Sequence, residues 1–465
     1  MQYKTKNNVY INATMIYILA NGIGQGLALL SNIFFTRFMS KMDYGLYTNY
    51  YSYVSIFASI VGANLYVGLS NAYIDYKKDI YKFRSSVLCL SVLIFGVVSI
   101  VTVTIGYVLD ISMPMICVAF ALIHAYGFFL VNYYMESMNM ENQYIKKGIF
   151  LCLPNVLQIV LSAIALVIIN TYESRILGSS IGVFICGLIC FIAISSKEKL
   201  TVNYEYWKYA LKISLPAIIS SVSYMIMQQC DKVMITSFYS AEKTAVYGLT
   251  YNIGYLLYAV LQATSGAWQS WYYNILKEKK YEKTHKVQKW YIIFMFFLAT
   301  GLFMVAPEII KMLSPRSYWE FEYVTPFIIG SFVMFMYNFH ISTAQYNKKT
   351  GVISIIVSTA AILNIILNYI LIPIYGGVGA AYTSVVSYVF IFIVSGMFIA
   401  TKKQYFFNLK YFLIAFLGLA IEAGVYTLLM EKIVARYIVF MALLANQVFF
   451  CISKRNEIRD LIKKG

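Results

Sequence analysis

Apolar runs of about 20 residues, each closed by a short polar break, follow one another from residue 14 to residue 452. A bilayer core of about 30 Å needs about 20 mostly apolar residues per helix, so the pattern predicts membrane-spanning helices throughout. The predicted spans run approximately from 14 to 38, 46 to 71, 86 to 109, 113 to 134, 148 to 169, 177 to 195, 214 to 238, 246 to 271, 290 to 310, 324 to 346, 352 to 372, 377 to 400, 411 to 430 and 437 to 452. Short loops around Asp110 and Pro373 divide spans 3 from 4 and 11 from 12. Composition agrees: 60% of the 465 residues are apolar and 12% charged. Mean hydropathy is +0.68. The reading is an all-α integral membrane protein of about 14 helices.

The net charge of +17 would suit a nucleic-acid partner, but its distribution along the chain argues otherwise. With the N-terminus inside, 28 of the 37 Lys and Arg fall in the tails and inner loops, eight lie on or near the outer side, and Lys232 lies within a span. This is the positive-inside asymmetry, and it places both termini in the cytoplasm. Anionic lipid, not nucleic acid, is the expected counterpart of the basic loops.

The first apolar stretch is too long for a cleavable signal core and has no small-residue cleavage site, so it reads as a first transmembrane helix. All seven cysteines (Cys89, Cys117, Cys152, Cys186, Cys190, Cys230 and Cys451) lie in or beside apolar spans. None is in an outer loop, which argues against a disulfide framework. Cys186 and Cys190 are one helical turn apart, but no acid or His accompanies them and packing is the favoured reading over metal.

The chain repeats itself at an offset near 200 residues. "TRFMS" at 36–40 lies over "TSFYS" at 236–240, Tyr47 and Tyr51 over Tyr247 and Tyr251, and "QYIKK" at 143–147 over "QYNKK" at 345–349. An even number of spans per copy gives two parallel six-helix lobes, related by an axis along the membrane normal and meeting around a central cavity. The expected divisions are 1–200, 201–405, and two extra helices with the tail at 406–465.

Helical spacing then shows which faces are polar. Asn21, Gln25, Asn32 and Thr36 form a stripe in span 1; Ser220, Ser221, Tyr224, Gln228, Asp231 and Lys232 form one in span 7. Span 8 offers Tyr251, Tyr255, Tyr258, Gln262, Ser265 and Gln269; span 5 offers Asn155, Gln158 and Ser162; span 11 has Asn364 and Asn368. One such residue is as readily interhelical glue as function. Five stripes over both halves favour a hydrated path.

Ionisable groups within spans are expensive, and they are few here. Asp231 and Lys232 point about 100° apart on a helix, so they make a poor ion pair with each other, yet both lie on the polar stripe. Lys232 can snorkel; Asp231 is too short to do so and requires a cation, a donor or a proton. Arg37 is near the outer end of span 1. His124 and His340 read as hydrogen-bonding contacts between helices, and Glu422, outside the repeat, as a structural or partner contact.

"ALKISLPAIISSVSYMIMQQCDKVMITSFYS" at 210–240, "AAILNIILNYILIPIYGGVGAAYTSVVSY" at 360–388 and "TRFMSKMDYGLYTNYYS" at 36–52 resemble segments of the polysaccharide repeat-unit flippases of the multidrug, oligosaccharidyl-lipid and polysaccharide exporter (MOP) superfamily. The resemblance implies a non-enzymatic flippase in a bacterial inner membrane, carrying an undecaprenyl-diphosphate-linked oligosaccharide to the outer leaflet for capsule or O-antigen. Polysaccharide polymerases or glycosyltransferases would be its partners. Lys232 and Arg37 would then be candidates for the diphosphate, and the Tyr and Gln stripe of span 8, with Tyr255 and Gln262, for the sugars; Asp231, Gln25, Asn32 and Gln228 are further substrate-binding candidates. Asp231 would serve proton or sodium coupling, with no cofactor. Pro154, Pro216 and the series Gly22, Gly24, Gly26 are sites for bending or close packing. The alternatives are a drug/cation antiporter of the same superfamily, which would more naturally carry several intramembrane acids, and a membrane polymerase or ligase, which would need a larger outer loop. Neither a GxxxxGK[ST] loop nor an HExxH or DxD signature occurs.

Overall fold

A computed structural model describes residues 2–108, 113–279, 281–401, 406–457 and 459. Among them are fourteen α-helices and no strand. These are α1 (Gln2–Phe38), α2 (Lys41–Ala58), α3 (Leu69–Asp75), α4 (Ile80–Val108), α5 (Met115–Met140), α6 (Tyr144–Ile168), α7 (Tyr172–Ser195), α8 (Tyr204–Phe238), α9 (Ala241–Glu278), α10 (Tyr281–Leu313), α11 (Val324–Tyr346), α12 (Thr350–Thr401), α13 (Leu409–Leu429) and α14 (Ile433–Ser453). Ten of them are long and apolar enough to cross a bilayer. α1, α2 and α9 are not among those ten; α2 and α9 are rich in tyrosine and α1 carries the Asn–Gln stripe.

One predicted span has an unforeseen shape. Span 2 is split between α2 and α3: Ala63 and Asn64 both take left-handed backbone angles, with φ of 47° and 48°, and a 3-10 turn follows. Spans 11 and 12 are two helices, numbered together as α12, that meet at Gly376, whose φ of 61° and ψ of −144° suit only glycine. The break thus falls in the expected loop at 373–376. Counting α2 with α3 as one crossing and α12 as two gives the expected fourteen. The turn around Asp110 lies outside the described residues.

The chain forms two compact units, residues 1–245 and 246–465. Residue 200 is not at a free linker. The segment between α7 and α8 is pinned along the start of α4: Ser85 Oγ donates to the Lys199 carbonyl at 2.7 Å, the Asn203 amide donates to Ser86 Oγ at 2.9 Å, and Trp207 Nε1 donates to the Ser86 carbonyl at 2.8 Å. These bonds draw α8 into the first unit.

Within that unit, α5, α6 and α7 pack closely because their contacts use small residues. A Cβ on Gly178 would come within 2.5 Å of the α6 backbone at Ser162, and one on Gly187 within 2.9 Å of Gly127 Cα. Gly22 and Gly26 are different: nothing lies within 4 Å of a Cβ built on either, so close packing does not require them. α6 and α8 continue as helices past Pro154 and Pro216.

The repeat is in register at one corner and shifted at another. α1 ends at Phe38 and α8 at Phe238, while α2 starts at Lys41 and α9 at Ala241. "QYIKK", however, opens α6, whereas "QYNKK" falls at the end of α11 and the turn beyond. The equivalent turns are marked by the left-handed residues Asn142 and Lys348, four residues away from the offset the two strings suggest.

Candidate functional site

In the first unit, the QQCDK stretch builds a buried polar knot on α8. Asp231 is 1% exposed, and its Oδ1 accepts the Lys232 amide at 2.8 Å. The Lys232 ammonium, also buried, donates to Gln229 Oε1 at 2.9 Å. The Lys232 carbonyl accepts from Thr236 Oγ1 at 2.9 Å and Thr244 Oγ1 at 3.4 Å, and the two threonine hydroxyls lie 2.7 Å apart. Gln228 is buried beside them. An acid and a base at membrane depth require polar partners, and here the carboxylate accepts from a backbone amide and the ammonium donates to a side-chain amide oxygen.

A second cluster joins α1, α2 and α7. Asn32 is buried, and its Oδ1 accepts from the Tyr44 hydroxyl at 3.0 Å; Thr36 Oγ1 donates to the Asn32 carbonyl at 2.7 Å. Over the same tyrosine lies Arg175, 5% exposed, with its guanidinium 5.1 Å from the Tyr44 centroid, 3.6 Å from Tyr47 and 3.8 Å from Phe35. This aromatic cage holds a cation through the ring quadrupoles. Periodicity alone does not single out Arg175; its one local signal is an arginine two residues before an apolar span. Arg37, by contrast, is exposed and donates to the Ile33 carbonyl at 3.1 Å. Gln25 is half-buried on α1.

In the second unit, α9 carries a ladder of rings, with Tyr251 to Tyr255 centroids at 6.0 Å and Tyr255 to Tyr258 at 5.0 Å. The Gln262 amide donates to the Tyr258 hydroxyl. On α12, Asn368 Nδ2 donates to Asn364 Oδ1 at 3.1 Å, and Thr383 Oγ1 donates to Asn368 Oδ1 from beyond the Gly376 break. Nothing in the sequence singles out Thr383. Tyr258 is buried in the core, whereas Tyr251 and Tyr255 are half-buried.

The remaining intramembrane groups have local partners. His124 Nδ1 is 3.1 Å from the Tyr50 hydroxyl, and His340 Nδ1 is 3.1 Å from both the Phe392 carbonyl and Ser395 Oγ. Glu422 accepts from Thr300 at 2.7 Å. Cys186 and Cys190 pack with Val131 against Phe150 and Leu157. Among the described residues no cluster of His, Cys, Asp and Glu has a metal-binding arrangement.

These helices have the fold of MOP-superfamily transporters. A lipid II flippase MurJ in an inward closed conformation superposes with a TM-score of 0.73 at 17% identity, covering 96% of this chain and 100% of that one. An inward-facing multidrug resistance MATE family transporter gives 0.64 at 14%, covering 84% and 99%. A MOP superfamily transporter from Pyrococcus furiosus gives 0.55 at 14%, covering 84% and 96%. No curated protein matches by sequence. The chain belongs to the polysaccharide biosynthesis protein family, whose model matches residues 11–268; the MatE model matches residues 216–370. It is a multi-pass integral membrane protein of the MOP superfamily.

Proposed function

We propose that this protein is a flippase that moves undecaprenyl-diphosphate-linked oligosaccharide repeat units from the inner to the outer leaflet of a bacterial inner membrane, with both termini in the cytoplasm, for surface polysaccharide assembly. The observation that carries the reading is the buried Gln228–Lys232 knot, a cation that donates to a side-chain amide oxygen in a chain of the polysaccharide biosynthesis family. A diphosphate needs a cation with a partner it can displace. Lys232 offers one, because its ammonium bonds to the neutral amide oxygen of Gln229, and a charge-assisted bond to phosphate is the stronger of the two. Asn32, Gln25 and the Tyr255–Gln262 surface supply hydrogen bonds and ring faces for sugars, and Arg37 supplies an exposed second cation at the outer end of α1.

The sequence repeat divides the chain into 1–200 and 201–405, with 406–465 as an addition, and alternating access would expose the site to each leaflet in turn. The polyprenyl tail would stay in lipid. Polymerases or glycosyltransferases would supply and consume the substrate. The MatE match over 216–370 favours one second reading, a drug/cation antiporter.

The test uses purified protein in liposomes and follows access of a lipid-linked oligosaccharide to a reagent confined outside. Flipping by the wild type that is lost in Lys232→Ala supports the proposal. Absence of flipping, together with gradient-driven uptake of an organic cation, moves the assignment to the antiporter.

A further inference from the structure

In the second unit, α10, α13 and α14 frame a trough of about 430 Å³. Two of its walls are unbroken helical stripes: Lys289, Ile292, Ile293 and Phe296 on α10, and Tyr411, Ile414, Ala415 and Gly418 on α13. Spacings of three, four and seven residues put each set on one face. Asn446, Gln447 and Phe450 of α14 form the third wall. One turn deeper on the same stripes lie Thr300 and Glu422. Thr300 Oγ1 donates to Glu422 Oε1 at 2.7 Å, and Gln447 Nε2 donates to Thr300 Oγ1 at 2.8 Å. This polar trio closes the trough, so its apolar length is about 10 Å at 1.5 Å per residue.

The mouth is basic. Lys289 Nζ sits 5.1 Å from the Trp290 centroid and 5.7 Å from that of Phe450, and it binds Glu457 Oε2 at 3.0 Å. Lys454 approaches the other oxygen of Glu457 at 3.7 Å. A tail carboxylate therefore lies between two ammonium groups at the entrance to an apolar trough. Its hydrogen bond from Lys289 holds the Glu457 carboxyl below the ordinary glutamate range. The helix ends around the mouth carry Lys286, Lys289, Lys410, Lys454 and Arg455 against Glu282 and Glu457. The arrangement is an anion clasp above a slot for a hydrocarbon chain.

We propose that this trough binds one acidic glycerophospholipid, with an acyl chain along the α10–α13 stripes and the phosphate at Lys289 and Lys454 in place of the Glu457 carboxylate. Glu457 competes with the lipid from within the chain. The lipid thereby bears on the two helices beyond the six-helix repeat, α13 and α14, and on α10 within it. Charge selects the occupant. Near a membrane each basic residue contributes to anionic-lipid affinity by about fivefold, while a zwitterionic headgroup gains little.

The full chain, purified and relipidated with phosphatidylglycerol or phosphatidylcholine, is tested by native mass spectrometry for retained lipid. Wild type should retain phosphatidylglycerol selectively. Glu457→Gln should raise that retention, and Lys289→Ala with Lys454→Ala should weaken it by about twentyfold or more. Gly418→Leu should abolish it by displacing the Phe296 wall into the slot, since even a Cβ there would meet the Phe296 ring at 2.9 Å. If Gly418→Leu does not fold, the Lys289/Lys454 pair at the mouth alone decides. Equal retention of both lipids, or retention unchanged in the lysine variants, overturns the proposal. So does displacement of the retained lipid by stoichiometric undecaprenyl phosphate, which would make the trough a site for the polyprenyl carrier.

Discussion

Arg175 lays its guanidinium 3.6 Å from the ring centroid of Tyr47, and Phe35 covers it at 3.8 Å. The arginine comes from α7, the rings from α2 and α1, so one buried side chain ties three helices together. A desolvated cation–π contact is worth about 2 kcal/mol, and a planar guanidinium stacks where an ammonium does not. Arg175→Lys should therefore lower the unfolding free energy by about 2 kcal/mol despite keeping the charge. Denaturation in mixed micelles measures this, and an unchanged midpoint would show that charge alone matters.

Arg175 also shows where sequence reading stops. The apolar spans, their number and the stripe containing Asn32 are all local periodicities, and they were legible. The cage is not local: Arg175 contacts rings more than a hundred residues away, and its own span appeared to begin at 177. The pinning of residues 199 and 203 to Ser85 and Ser86 likewise joins positions over a hundred residues apart. Left-handed backbone at Ala63 and Asn64 leaves little pattern, because alanine does not favour it and a single asparagine, which tolerates it, also occurs within spans. The break at Gly376 falls in the gap expected between spans 11 and 12, because Pro373 and the following glycines interrupt the apolar run there. For the candidate site, the QQCDK stretch exposed its own chemistry by being charged in an apolar run, whereas Thr383 looks like any helix threonine until Asn368 is beside it.

Glu141 gathers Arg84 at 2.6 Å, Lys197 at 3.1 Å and Gln143 at 2.7 Å. Arg84 is 3% exposed, while Lys197 is 39% exposed. Removing the carboxylate strands a buried guanidinium, so Glu141→Ala should cost about 3–5 kcal/mol. Lys197→Ala should cost about 1 kcal/mol or less, because its exposed pair is screened. Unfolding curves for both single variants and the double variant give the coupling. A small effect of Glu141→Ala would mean that water reaches Arg84.

Gly376 holds the break in α12 with a backbone that a Cβ disfavours. Gly376→Ala should destabilise by about 1–3 kcal/mol. Gly351, in the first turn of the same element, has nothing within 4 Å of where a Cβ would stand, so Gly351→Ala should be neutral or stabilising by up to about 1 kcal/mol. The contrast separates backbone strain from side-chain packing. Equal thermal shifts for the two variants would remove the special role of residue 376.

Asp231 and Lys232 are adjacent yet have separable chemistry. The carboxylate faces its own helix backbone through the Lys232 amide, while the ammonium reaches back to Gln229. If Asp231 carries the coupling ion and Lys232 the diphosphate, their variants must fail differently. Asp231→Asn keeps the size and an acceptor oxygen but cannot exchange a proton or balance a sodium ion. It should still equilibrate lipid-linked oligosaccharide across the bilayer, with no response to an imposed gradient. One coupled charge moved through 100 mV is worth about 2.3 kcal/mol, so the wild type should shift the leaflet ratio by up to about fiftyfold and the variant by none. Lys232→Ala should lose substrate engagement under every gradient. Measuring leaflet ratios in liposomes with imposed proton or sodium gradients resolves the two. A gradient response that survives in Asp231→Asn would take the coupling role away from this carboxylate, leaving the diphosphate role of its neighbour to be judged on its own result.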